Sequence, residues 1–227
     1  MSTDNTSHSD QVVKVIFEAI LSKKLNPGIK LSEIALQEEF GYSRNSIRKG
    51  FSTLVNSGVL IYKKNQGVRV AFPSETQTKK IYQARKAIEN GVILILVDRH
   101  IKGNLDVSIM NELIAKEEQL HASDQFAKLT RMSCDFHISL AELCGNEYLV
   151  ESLRPLIPLS ALAASVYANT NSHFCSYTEH QELISALNSK DSAVAIRAMN
   201  VHLDHCVQSL DFGVQTRQKT SYSHIFN

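Results

Sequence analysis

The chain has 227 residues, of which 43% are hydrophobic and 21% are charged, a composition that argues against a mainly disordered protein. The apolar runs are shorter than the roughly 18 residues of a membrane span, the N-terminus lacks the features of an export signal, and four scattered cysteines suggest no disulfide framework, so we expect a cytoplasmic protein. Residues 1–74 hold ten Lys and Arg against six Asp and Glu, whereas residues 75–227 hold fourteen against seventeen, which places a basic head on an acidic body.

Three short amphipathic helices are predicted at the start of the chain. Each has an apolar stripe at helical spacing, and the second and third follow serines that favour helix N-caps. Glycines favour the C-terminal stops. The predicted segments are residues 12–21, ended by Asn26-Pro27-Gly28, then Ser32 to Gly41, and Ser43 to Gly58.

A β-hairpin is predicted to follow the third helix. Leu60 and Tyr62 alternate on one side, and Val68, Val70 and Phe72 on the other, around the polar tip 63–67. Alternation with a glycine-containing tip is typical of a hairpin. Helix, helix, tight turn, helix and hairpin is the order of a winged helix-turn-helix, which we assign to residues 8–73.

The remainder of the chain predicts an all-helical bundle of about six helices, assigned to residues 75–212. Ser74 or Thr76 can cap its first helix, and Pro155 and Pro158 should kink or divide the fourth. The stripes cover residues 81–99, 107–120, 125–144, 149–167, 177–187 and 193–210. The fold class is therefore mainly α, and the tail 213–227 is expected to be weakly ordered.

The polar face of the third helix is suited to binding DNA. Arg44, Asn45 and Arg48 lie at its start, where a recognition helix meets base edges, and arginine and asparagine can bond bases bidentately. Ser43 and Ser46 could hold phosphates, as could Lys49 on the same face. A solvated basic face with no such role is the alternative. Near the hairpin tip, Lys63, Lys64 and Arg69 could track the DNA backbone or minor groove.

The same segments resemble the winged-helix domain of GntR-family transcriptional regulators. The resemblance covers about sixty residues and rests on the runs 26–33, 40–49, 56–60 and 66–70. It implies that Arg44, Arg48 and the residues between them contact operator DNA, and that Gly67 lets the wing approach the groove. Asn45-Ser46 replaces the family's usual Thr-Pro, Lys49 replaces a glutamate, and Ile34 stands where arginine is frequent. The operator sequence therefore does not transfer.

Three histidines in the second part of the chain lie on apolar faces of separate predicted helices. Each of His137, His180 and His202 could be a hydrogen-bonded core residue. Three neutral imidazoles that converge could instead hold zinc or a similar divalent ion, with a position left for water or a ligand.

The predicted bundle also resembles the FCD effector domain of FadR-type members of the same family. The matching motifs are Arg85-x-x-x-Glu89, Phe136-His137 with Gly145-Asn146, residues 180–187 with Asp191, and Met199-x-x-His202-Leu203. The resemblance implies a small organic-acid effector and a metal held by three histidines and an aspartate four residues before the first. Ser133 occupies the aspartate position, and Asp135 points about 200° away from His137. A three-histidine metal site completed by water or the effector, and a metal-free polar pocket, both remain open.

Arg85 is the candidate to bind the effector's carboxylate, with Ser133 as a further effector-binding residue. Guanidinium binds carboxylate bidentately in a partly dry cavity. The alternative is a structural ion pair between Arg85 and Glu89, four residues later.

These observations predict a dimeric, ligand-responsive transcriptional regulator that binds a palindromic DNA operator and is not an enzyme. No membrane contact is expected. The alternatives are a metal-dependent hydrolase, for which no general base is evident beside the histidines, and a pure metal sensor.

Overall fold

The computed structural model describes residues 7–121, 125–168 and 177–213. The described chain is mainly helical, as predicted, and forms two compact units, one up to Phe72 and one from Pro73 onward. The first unit contains α1 (His8–Leu21), α2 (Glu33–Phe40), α3 (Arg44–Asn56), β1 (Leu60–Lys63) and β2 (Gly67–Val70). The second contains α4 (Glu75–Ile101), α5 (Ser108–His121), α6 (Phe126–Leu143), α7 (Glu147–Leu153), α8 (Leu156–Tyr167), α9 (Tyr177–Asn188) and α10 (Ser192–Gln208).

Capping residues fix α2 and α3 as the sequence predicts. The Ser32 side chain accepts a hydrogen bond from the backbone of Ala35, and Gly41 ends α2 in the left-handed conformation at φ +67°. The Ser43 side chain in turn accepts from the backbone of Ser46 at the start of α3. A short turn between two well-capped helices is the geometry of a helix-turn-helix.

The hairpin of β1 and β2 is antiparallel, with Leu60 opposite Val70 and Lys63 opposite Gly67. Its base is buried, but Tyr62 is 68% exposed although it shares a face with Leu60. The alternation of side chains therefore predicts the hairpin correctly, but it does not predict which residues of the hairpin are buried.

A third backbone segment pairs with β2 and was not predicted. The backbone N–H of Gly28 donates to the carbonyl of Val70, and that of Leu31 donates to the carbonyl of Val68, both at 2.9 Å. The Asn-Pro-Gly turn that follows α1 thus leads into an edge segment, residues 28–31, and β2 is hydrogen-bonded on both sides.

Helix α4 is the central element of the second unit and packs against α6, α7, α8, α9 and α10. It begins at Glu75, directly after the predicted cap Ser74, which forms a capping box with Gln77. Its first residues are mostly exposed and polar, so the apolar stripe used for the prediction begins later.

The predicted division of the fourth bundle helix is confirmed, since α7 and α8 are separated at Arg154-Pro155. Within the described residues, Glu147–Tyr167 is long and apolar enough to cross a membrane by length and composition alone. Its most apolar stretch is 56% buried inside the unit, which is what a core helix shows. The tail from residue 214, for which weak order was predicted, lies outside the described residues.

Gly50 allows α1 and α3 to approach closely. A Cβ atom at this position would lie 2.7 Å from Cγ1 of Val12 and 3.1 Å from the backbone oxygen of Ser9. Alanine usually stabilises a helix by about 1 kcal/mol relative to glycine. We expect Gly50→Ala to destabilise the first unit instead, by about 1–3 kcal/mol, because α1 must move away.

Hydrogen–deuterium exchange of the α3 amides measures this effect, and exchange should be faster in Gly50→Ala. Gly91→Ala in α4 is the matched control, since its Cβ would meet Leu149 at an ordinary 3.9 Å. Slower exchange in α3 of Gly50→Ala would show that the close approach of α1 and α3 does not oppose the stabilising effect of alanine.

Candidate functional site

The polar face of α3 is exposed to solvent at the residues predicted to meet DNA. We call Ser43, Arg44, Asn45, Ser46, Arg48 and Lys49 the docking face. The side chains of Arg44 and Arg48 are 67% and 57% exposed. On the opposite side of α3, Ile47, Phe51 and Leu54 are buried. The hydroxyl oxygens of Ser43 and Ser46 lie 2.9 Å apart, so these serines also complete the N-cap.

Glu33 pairs with both arginines of the docking face, a contact that the sequence does not predict. Its Oε2 accepts a hydrogen bond from Nε of Arg44 and from Nε of Arg48, each at 3.0 Å. Partial burial acts to raise the pKa of Glu33, but the hydrogen bonds from Arg44 and Arg48 outweigh it and lower that pKa. Sequence spacing hides this contact because it joins two helices across the turn.

The hairpin tip places its predicted residues unequally. Lys63 and Lys64 are exposed, and Gly67 has a φ of +80° that strongly favours glycine. Arg69 differs, because its Nη1 donates to the carbonyl oxygen of Gly28 at 2.9 Å and the side chain is partly buried. Arg69 therefore has a structural role in tying β2 to the edge segment.

The three predicted histidines come together in the core of the second unit. His137 on α6, His180 on α9 and His202 on α10 are buried and form what we call the histidine cluster. One ligand nitrogen from each lies within 4.8 Å of the others. The Nε2 atoms of His137 and His202 are 3.2 Å apart.

A separate glutamate contacts the Nδ1 atom of each histidine in the cluster. The distances are 2.5 Å from Glu89 to His137, 2.6 Å from Glu117 to His180 and 2.8 Å from Glu179 to His202. A carboxylate at Nδ1 favours the tautomer that carries its proton there, which leaves Nε2 with a lone pair. The lone pairs of His137 and His202 then face each other at close range, an arrangement that a cation between them would stabilise.

The charge states of His137 and Glu89 also suit the binding of a cation. Burial, the largest effect, lowers the pKa of His137 to about 3 even though Glu89 opposes it. Burial would raise the pKa of Glu89, but the guanidinium of Arg85 and then His137 lower it to about 2. At neutral pH the imidazole is therefore neutral, as a metal ligand must be, and its partner is ionised.

Arg85 forms the ion pair that was the alternative to an effector contact, and it retains a further donor. Its Nε donates to Oε1 of Glu89 at 2.8 Å, and its Nη1 donates to Oγ of Ser160 at 2.9 Å. The residue is 3% exposed, and among the described residues its Nη2 has no hydrogen-bond partner. Buried donors of this kind need an acceptor. Ser133, one turn before His137, is buried as well.

Asp135 and Cys206 each lie close to a histidine of the cluster, the first in sequence and the second in space. Asp135 is half exposed and lies 3.6 Å from Arg131, so it does not take the place of the missing aspartate, as predicted. Sγ of Cys206 lies 3.8 Å from Nε2 of His202.

The contacts of Glu117 and Glu179 with the histidines were not predicted from the sequence. A signal for Glu117 was present, because it follows Met110 and Ile114 at helical spacing on the apolar face of α5. A carboxylate on such a face indicates a buried partner. No comparable signal marks Glu179, which is partly exposed.

Comparison with known proteins divides the chain in the same way as the two predicted resemblances. The model of bacterial regulatory proteins of the gntR family matches residues 8–70, and the FCD domain model matches residues 80–205.

Among similar curated proteins is an Escherichia coli (strain K12) protein named as a candidate L-lactate dehydrogenase operon regulatory protein. It is 26% identical over 223 residues, covering 86% of this chain and 83% of the relative. The HTH-type transcriptional repressor GlaR of the same organism is 25% identical over 191 residues, covering 81% and 87%. A solved structure described as a candidate GntR transcriptional regulator from Rhodococcus sp. RHA1 shares the fold, with a TM-score of 0.74 at 21% identity and coverage of 89% and 97%.

The buried charges around Glu89 should be strongly interdependent. We expect Glu89→Met to lower the free energy of unfolding by about 3–5 kcal/mol, because Arg85 keeps a buried charge without its carboxylate. The double variant Arg85→Met/Glu89→Met should be closer to wild type, since it removes both charges. Urea denaturation measures the difference, and equal losses in the single and double variants would contradict it.

Proposed function

Because the chain belongs to the GntR family of bacterial regulatory proteins and carries its FCD domain, we propose that a small organic acid controls its affinity for operator DNA. Membership makes the protein a transcriptional regulator and not an enzyme, so the metal-dependent hydrolase considered from the sequence is set aside. We propose residues 8–73 as the DNA-binding domain, residues 75–212 as the effector-binding domain and the cytoplasm as the place of action.

In the proposed complex, the docking face enters the major groove of a palindromic operator bound by a homodimer. Regulators of this family bind operators and usually act as dimers, and two-fold symmetry in the protein matches two-fold symmetry in the site. Arg44, Asn45 and Arg48 would read base edges. The exposure of the arginine side chains supports this role. Ser43, Ser46 and Lys49, together with Lys63, Lys64 and the wing around Gly67 and Arg69, would contact or approach the DNA backbone.

The histidine cluster would hold a divalent metal ion such as zinc. The observation that carries this proposal is the carboxylate on Nδ1 of every histidine, which is the usual support of metal-binding imidazoles. Three imidazole nitrogens suit zinc, and Ser133 leaves a coordination position open where the family has aspartate. When bound, the ion would act as a Lewis acid that attracts the carboxylate of the effector.

Arg85 would contribute the second charge that selects an acid. Its Nη2, which has no hydrogen-bond partner in the described ranges, is a buried cationic donor, and Glu89 connects its guanidinium to His137. A carboxylate bound by Arg85 would therefore be sensed by the cluster through one shared residue. The similarity to a relative named for the L-lactate dehydrogenase operon makes L-lactate the first acid to test.

Effector binding can change DNA affinity only if the DNA-bound and DNA-free forms of the protein differ in their affinity for the effector. The proposal therefore requires reciprocal coupling between operator and acid. A pure metal sensor, the remaining alternative, would show this coupling with the metal alone.

Removal of either arginine from the docking face should weaken operator binding. We expect Arg44→Ala and Arg48→Ala each to reduce affinity about 5–150-fold, the value of one bidentate base contact. Fluorescence anisotropy with a duplex selected by the wild-type protein from a random library measures the loss. Arg197→Ala, at an exposed position of α10, is the control for removing one positive charge. Operator affinity equal to that of the control would exclude the docking face.

Glu117 should matter for the metal although it does not touch it. We expect Glu117→Gln to weaken zinc binding about 10–100-fold, because His180 loses its anionic partner at Nδ1. Competition with a chromogenic chelator measures the affinity, and exposed Glu118→Gln is the matched control. Equal zinc affinities in Glu117→Gln and Glu118→Gln would contradict the assignment of the cluster.

L-Lactate should raise the unfolding temperature of the zinc-loaded protein, and removal of zinc with a chelator should reduce that shift.

A further inference from the structure

A single carboxylate joins the two arginines of the docking face. Glu33 is the first residue of α2, whereas Arg44 opens α3 and Arg48 follows one turn later. Oε2 of Glu33 lies 3.0 Å from Nε of each arginine, and its Oε1 lies 3.1 Å from Nε of Arg48. An acidic residue on a surface that meets phosphates reduces DNA affinity, since its charge repels the duplex. Its place here therefore indicates a role that offsets this repulsion.

The contacts to Glu33 leave the other edge of each guanidinium available. All three hydrogen bonds use Nε, and within the described part of the chain the Nη1 and Nη2 atoms of Arg44 and Arg48 make no hydrogen bond. Two terminal nitrogens are sufficient for a bidentate bond to O6 and N7 of guanine. The carboxylate thus restrains each guanidinium at Nε and leaves Nη1 and Nη2 available.

The restraint acts on side chains that are otherwise free to move. Arg44 and Arg48 are largely exposed, whereas Glu33 is 27% exposed and is held at the first turn of a capped helix. A long exposed arginine loses conformational entropy when it is fixed on a base. One that is already oriented in the free protein loses less, so orientation favours the correct base contact.

We propose that Glu33 is a positioning residue that sets the sequence specificity of Arg44 and Arg48. It orients both guanidiniums for guanine, and its negative charge lowers the affinity for DNA that offers phosphates but no matching bases. The inference rests on the proposed binding of the docking face to an operator. It adds that discrimination between sequences depends on a residue that itself touches no base.

The test compares two duplexes of equal length, one selected from a random library by the wild-type protein and one scrambled. Affinity for each is measured by fluorescence anisotropy over a range of salt concentrations with the full-length protein. Glu33→Gln should bind the scrambled duplex more tightly and the selected duplex no better, so the ratio of the two affinities should fall about tenfold.

Glu39→Gln is the matched control, because it removes the same charge from an exposed position on the same helix. Glu39→Gln should raise both affinities by a similar factor and leave their ratio unchanged.

Glu33→Asp keeps the charge but is shorter by one methylene and cannot span both arginines equally. It should keep the weak binding of scrambled DNA and lose part of the affinity for the selected duplex. Unfolding temperatures of the variants establish that the domain is intact.

A ratio for Glu33→Gln within twofold of that for Glu39→Gln would overturn the proposal while leaving the docking face in place. Failure of the wild-type protein to prefer any duplex would overturn the docking face as well. The two results are distinguishable because the second appears before any variant is made.

Discussion

The interior of the second unit depends on the ionised carboxylate of Glu89. Its two oxygens are divided between the guanidinium of Arg85 and Nδ1 of His137, at 2.8 and 2.5 Å. A charge so deeply buried is stable only when its partners compensate for lost hydration. Arg85 supplies the opposite charge, and the neutral His137 supplies a proton donor. The orientation of His137, and with it the geometry of the histidine cluster, follows from this arrangement.

The local features of the fold could be predicted from the sequence because they depend on neighbouring residues. Ser32, Gly41 and Ser43 specify the turn between α2 and α3, and Pro155 specifies the break between α7 and α8. The cap at Ser74 likewise marks the start of α4, which the apolar stripe alone would place six residues later. The edge segment 28–31 could not be predicted, since its partner β2 lies about forty residues away.

The candidate sites were predictable to a similar degree. The histidines were identified because each lies on an apolar face, where a polar ring is conspicuous. Their glutamate partners lie on other helices, and periodicity within one helix carries no information about which faces will meet. The same reason explains why Glu33 was missed beside Arg44 and Arg48. The prediction that Arg69 is a DNA contact remains untested, and its bond to Gly28 gives it a second role.

The edge segment also has a mechanical consequence. Residues 28–31 lie in the connection from α1 to α2, and their backbone bonds to Val68 and Val70 of β2. The hairpin is therefore joined to the stretch of chain that leads into the helix-turn-helix. The wing cannot swing on its own hinge without breaking these backbone bonds. Under the proposed function, an effector signal would therefore move the wing together with the segment that leads into the helix-turn-helix, and a dimer would respond through the spacing of its two DNA-binding domains.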